Sequence, residues 1–208
     1  MIFLSAFLLC LLLNLTPLTL SLLCANKRIY FDKSIILLFS IITSIGIVFF
    51  MYTGKLIAKL FIPEIGNIFG GVSLSFIGVY YIVEYIKLKN KTAGYDTSYY
   101  FESSLEYKKL LETTSDIVEF NNLKAITLFS CLKFSMEFLI NNILIYISAG
   151  ITGINVDLCV FFYFILSLLV LDIGYFNFNE NLINFFKRYF YLIGGISLIV
   201  LGLFETFV

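Results

Sequence analysis

Apolar residues fall in six long blocks, each closed by a short polar or turn-forming stretch. The blocks run over 2–25, 34–61, 65–87, 124–149, 156–177 and 189–208. Each is close to or above the ~20 residues that an α-helix needs to cross a hydrocarbon core. NKRIYFDK at 26–33 parts the first block from the second, and Pro63 with Gly66 parts the second from the third. Gly150, Gly153 and Asn155 part the fourth from the fifth. One long polar stretch, 88–123, carries mixed charge and much Ser, Thr and Tyr. The pattern predicts an all-α polytopic membrane protein with six transmembrane helices. Its expected organisation is a three-helix unit over 1–88, a cytoplasmic polar linker over 89–123 and a second three-helix unit over 124–208.

Composition removes several function classes. The 208 residues are 60% hydrophobic and 13% charged, more apolar surface than a soluble domain of this size can cover. Net charge is zero, so nothing points to nucleic acid. There is no histidine, which excludes a Ser-His-Asp triad, HExxH zinc chemistry and imidazole proton relays. No Gly-rich phosphate loop and no nucleophile–base constellation is visible, so no enzyme and no bound cofactor is expected. The partner is the lipid bilayer, with a homo-oligomer or other membrane proteins left open. Cys10, Cys24, Cys131 and Cys159 lie in or beside apolar blocks without a CxxC, and read as small core residues. The first 25 residues lack a basic n-region, and Leu23 precedes Cys24 where a lipoprotein signal wants a small residue. The first block is therefore read as a retained helix.

Lysine and arginine set the orientation. With the N-terminus outside, the inner loops hold Lys27, Arg28, Lys33, Lys87, Lys89, Lys91, Lys108, Lys109, Lys124, Lys187 and Arg188. The outer side holds only Lys55 and Lys59. The bias places both termini outside the cytoplasm. Tyr30, Tyr52, Tyr85 and Tyr189 serve as interfacial anchors in a chain without tryptophan.

The two halves resemble each other. Residues 70–78 read GGVSLSFIG and residues 194–202 read GGISLIVLG, an offset of 124. At an offset of 125, Ile29 meets Ile154, Asp32 meets Asp157 and Thr16 meets Asn141. A duplicated unit with an odd number of spans is inverted in its second copy, which is the usual plan of secondary transporters. Gly66, Gly70, Gly71 and Ser73, with Gly194, Gly195 and Ser197, are expected to form small-residue faces for close helix packing.

Polar residues inside the blocks are the functional candidates. Lys133, Glu137 and Asn141 fall at i, i+4 and i+8 on one helical face. Glu137 either pairs with Lys133 or contributes to an ion or proton path. Asn14 lies half a turn from Thr16, and the two are expected to face Asn141 across the repeat interface near midplane, with Glu137 and Asn142 close by. Asp172 sits in the fifth block, while Glu84 and Glu205 end the third and sixth.

These features resemble the sporulation membrane protein family YtaF, a relative of the MntP manganese efflux pumps. The likeness covers almost the whole chain: the three-plus-three layout, both GGxSLxxxG stretches, NKRI after the first helix, LLETTSDIVEFNNLKAITL at 110–128 and ISAGITGIN at 147–155. In that family the first and fourth helices each carry an Asp in a pattern like SLDNFGVG. Here LTPLTLSL at 15–22 and INNILIYI at 140–147 stand in those places, so Thr16 and Asn141 replace the two acids. Asn142 keeps the family's following Asn. The resemblance implies the fold and a degenerate cation site at Thr16, Asn141 and Asn142, to which the spacing of Glu137 and Asn14 adds two further candidate ligands. Manganese prefers oxygen ligands, which Asn and Thr can supply, but those two residue types bring no negative charge to offset its dehydration. Two functions stay open: a sporulation-associated membrane protein with weak or no metal transport, and an active divalent-cation transporter using Glu137 and Asn141.

Overall fold

The structure, a computed structural model, describes residues 2–26, 29–92, 118–120, 123–176 and 180–207. Its helices are α1 (Ile2–Leu13), α2 (Leu15–Asn26), α3 (Lys33–Ala58), α4 (Pro63–Thr92), α5 (Leu128–Ile151), α6 (Val156–Phe176) and α7 (Glu180–Phe207). Helices α1 and α2 are separated only by Asn14, where the helix is interrupted. Pro17 accounts for the interruption, because it has no N–H to offer the carbonyl of Leu13. The ladder resumes on either side, with Asn14 N donating to the Cys10 carbonyl at 3.0 Å and Leu18 N to the Asn14 carbonyl at 3.1 Å.

Among the described residues, five helical stretches are long and apolar enough to cross a membrane: Phe3–Leu22, Lys33–Ala58, Ile65–Lys87, Leu128–Ile151 and Tyr189–Phe207. The remaining predicted block is α6, a 21-residue helix packed among them. Two helices outrun their predicted blocks. Helix α4 continues to Thr92 and α7 begins at Glu180, so Lys87, Lys89, Lys91, Lys187 and Arg188 lie on helices rather than in loops. Lys, Arg and Glu are good helix formers, and the backbone ladder does not stop where hydrophobicity does.

A small sheet accompanies the helices. Strand β1 (Ile29–Tyr30) pairs in parallel with β3 (Leu123–Ala125), and β2 (Val118–Phe120) pairs antiparallel with β3. Glu119 and Lys124 are register partners. The alternating Val-Glu-Phe and Leu-Lys-Ala runs around two asparagines are a hairpin signal that the long polar stretch concealed. The rest of that linker, 93–117, lies outside the described residues.

The first span packs on α6 and α7, α3 on α5 and α6, and α4 on α7 and α5. Rings of Phe39, Phe138, Tyr146 and Tyr163 knit α3, α5 and α6 together, with Phe138 stacked 6.0 Å from Tyr163 and 6.1 Å from Phe39. Helices α4 and α7 run antiparallel through the two GGxSLxxxG stretches. A Cβ on Gly78 would stand 2.7 Å from the Gly195 carbonyl oxygen, and one on Gly71 would stand 2.6 Å from that of Gly202. Helices α3 and α5 cross in the same way at Gly54 and Gly150. Gly66, expected on this face, has only ordinary van der Waals spacing around it. Large apolar side chains such as Phe49, Phe76 and Leu144 point outward, while many Ser and Thr lie inside. That inversion is the pattern of a bundle whose solvent is lipid.

Candidate intramembrane polar site

The fully buried polar side chains among the described residues carry hydroxyls, thiols and amides. Ser40 Oγ on α3 lies 3.0 Å from Ser167 Oγ on α6. The fully buried Tyr163 sits beside Thr43 and Ser167, and one turn away Cys10 Sγ lies 3.3 Å from Cys159 Sγ. Cys10 also donates to the Cys159 carbonyl at 3.0 Å, and Ser21 Oγ donates to the Leu171 carbonyl at 2.8 Å. These bonds tie the first span and α3 to α6. Most of the other hydroxyls donate back to carbonyls of their own helix, as Thr43 does to Phe39 at 2.7 Å.

Two asparagines carry the same local geometry in the two halves. Asn14, 2% exposed, donates through Nδ2 to the Cys10 carbonyl at 2.9 Å. Asn142, 6% exposed, donates to the Phe138 carbonyl at 2.9 Å. Asn14 Oδ1 is buried with no hydrogen-bond partner. The helix interruption at Asn14 and this oxygen fall at the same position of the first span.

The residues paired by sequence register fall differently. Thr16 is half-buried, and its carbonyl accepts from Thr19 Oγ1 at 2.8 Å. Asn141 is exposed, on the side of α5 that carries Ile140 and Leu144. The expected inward approach of Asn141 is therefore not what α5 presents: Asn142 is the inward residue. One step along an α-helix turns the side chain by about 100°, so a register error of one residue exchanges core for surface. Asp32 and Asp157 differ likewise. Asp32 precedes the first turn of α3, whereas Asp157 lies inside α6 and Asn155 caps that helix, Oδ1 accepting from Leu158 N at 3.2 Å.

Glu137 is half-buried, with Oε2 closed off from solvent, and it lines a shallow groove with Leu132, Lys133, Met136 and Ile140. Lys133 Nζ lies 4.3 Å over the Phe129 ring, a turn toward the helix start. Asp172 is exposed, and Glu84 pairs with Lys87 at 3.8 Å. Among the described residues no three His, Cys, Asp or Glu side chains converge on a point that would hold a metal.

The Cys10, Cys159, Tyr163, Ser40 and Ser167 cluster escaped sequence reasoning. Its signal was there in small polar residues three and four apart within apolar helices, as in Ser40, Thr43 and Ser44. Which helices brought them together was not. Comparison with protein-family models, with curated proteins and with solved structures finds no match to this chain.

Proposed function

We propose that this multi-pass membrane protein has six spans in two inverted three-helix units, is of the YtaF type, and serves sporulation with little or no divalent-cation transport. Exchange of the two halves supports the inverted plan. It turns the contact of the first span with α6 into that of α5 with α3, and the contact of Gly71 with Gly202 into that of Gly195 with Gly78. The Lys and Arg bias supports extracytoplasmic termini. The sporulation role rests on the resemblance in the YtaF-like stretches.

One observation carries the functional reading: the buried polar residues among those described are all uncharged, and they include Asn14 and Asn142. A divalent cation gives up a strongly held hydration shell, and carboxylates normally compensate. Amides and hydroxyls supply oxygen without that charge. Metal flux into liposomes across manganese, calcium, magnesium and sodium tests the proposal, and a deletion strain scored for spore yield and manganese tolerance tests its setting. The second reading, manganese transport through Glu137 and Asn141, is favoured by a carboxylate in mid-α5 whose Oε2 is buried.

A further inference from the structure

Cys10 on α1 and Cys159 on α6 hold their sulfurs 3.3 Å apart, and both side chains are fully buried. The Cys10 thiol also donates to the Cys159 carbonyl at 3.0 Å, which holds it against its neighbour. The contact of α3 with α5 contains a similar bond, from Cys131 Sγ to the Ile35 carbonyl at 3.6 Å. There an isoleucine stands across from the thiol; across from Cys10 stands a second cysteine. A disulfide bond is about 2.05 Å long, so the two sulfurs need to close by only about 1 Å. Cys159 is the fourth residue of α6, about 5 Å along its axis from Val156, and Cys10 is the eighth residue of the span Phe3–Leu22. The pair therefore lies toward the end of the bundle that the proposed topology puts outside the cytoplasm, where disulfides form and persist.

We infer that Cys10 and Cys159 are an oxidation site, at which a small uncharged peroxide forms a disulfide that ties the first half of the chain to the second. The peroxide oxidises one thiol to a sulfenic acid, its O–O bond breaking and one water leaving. The other thiol attacks that sulfur, the S–S bond forms, and the hydroxyl leaves with the attacking thiol's proton as a second water. Two S–H bonds are lost, and two electrons pass to the peroxide. A thiol in apolar surroundings stays protonated, so the first step is slow and answers to sustained oxidant. The second step is favoured because its partner is already in contact. The product is neutral and suits an apolar interior, and the hydrogen bond given up is a weak S–H donation to the Cys159 carbonyl. Cys10 lies four residues before the interruption at Asn14, so the bond fixes α1 against α6 whatever the rest of the span does. The source of the oxidant rests on the proposed topology; the pairing of the two sulfurs does not.

The test exposes the full-length protein, folded in detergent micelles, to hydrogen peroxide, quenches it, and counts thiols with maleimide after denaturation. Wild type should fall from four labelled thiols to two, and dithiothreitol should restore all four. Proteolysis without reductant should yield a fragment that joins Cys10 to Cys159, a readout that needs no variant to fold. Cys10→Ser and Cys159→Ser should each keep three labelled thiols before and after treatment, whereas Cys24→Ser and Cys131→Ser should each fall from three to one. The oxidised wild type should unfold at a higher midpoint than the reduced protein, because the bond closes a long loop, and dithiothreitol should abolish the difference. Four labelled thiols after exposure, a fragment joining other cysteines, or Cys10 recovered as a sulfinic acid would overturn the inference. Peroxide reaches the purified protein from both sides, so such a result leaves the topology standing, and a reporter fused after Val208 tests the topology separately.

Discussion

Gly78 on α4 and Gly195 on α7 hold each other's backbone: a Cβ on either would stand 2.7 Å from the carbonyl oxygen of the other. The relation is reciprocal, and Gly71 with Gly202 repeats it one heptad along. These two helices form the most extensive contact in the bundle, continued beyond the glycines by Tyr81 against Tyr191 and Tyr85 against Tyr189. Between helices in lipid there is no hydrophobic drive, so close backbone packing is what holds them.

Gly78→Leu or Gly195→Leu should therefore destabilise the protein by about 1–3 kcal/mol, the usual cost of overpacking, and more if the helices separate. Gly66→Ala should be neutral or slightly stabilising, since alanine is the better helix former by about 1 kcal/mol and its Cβ meets nothing closer than 3.8 Å. Unfolding in mixed detergent micelles measures both. Equal losses at positions 66 and 78 would contradict the packing account.

The four cysteines should be silent toward a membrane-permeant maleimide while the protein is folded, and all should label in denaturing detergent. Cys10 and Cys159 are fully buried with their sulfurs in contact. Rapid labelling of Cys10 in the folded protein would show that the first span opens at Asn14.

How much of this was legible beforehand differs between elements. The helices over 34–61 and 124–149 were readable because a bilayer demands a length as well as a composition. The α4–α7 contact was readable at the GGxSLxxxG stretches because close backbone approach tolerates nothing larger. The strands at 118–125 were missed because polarity masked a period-two pattern. That Asn141 is exposed and Asn142 buried was not legible for a different reason. Repeat register carries an uncertainty of a residue or two across loops of unequal length, and a helix converts that uncertainty into a change of face.

That point makes a discriminating prediction. Thr16→Asp with Asn142→Asp should tighten manganese binding at least about tenfold over wild type, since ligand charge tunes divalent sites. Thr16→Asp with Asn141→Asp should do much less, because position 141 faces outward. Titration in detergent with tryptic protection as a second readout distinguishes them. Superiority of the Asn141 variant would restore the register taken from sequence.

A reporter fused after Val208 should be active only on the extracytoplasmic side, and one placed in the 93–117 segment only in the cytoplasm. The basis is the clustering of Lys and Arg beside that segment. The opposite pattern would invert the topology.

The most direct measurement is manganese flux through the unmodified protein in sealed liposomes, against protein-free liposomes and the Asn142→Ala variant. The fully buried polar side chains among the described residues are uncharged, so wild type, variant and empty liposomes should give the same baseline. Manganese flux well above that baseline, lost on Glu137→Gln, would contradict the account and make Glu137 the surviving ligand of an active transporter.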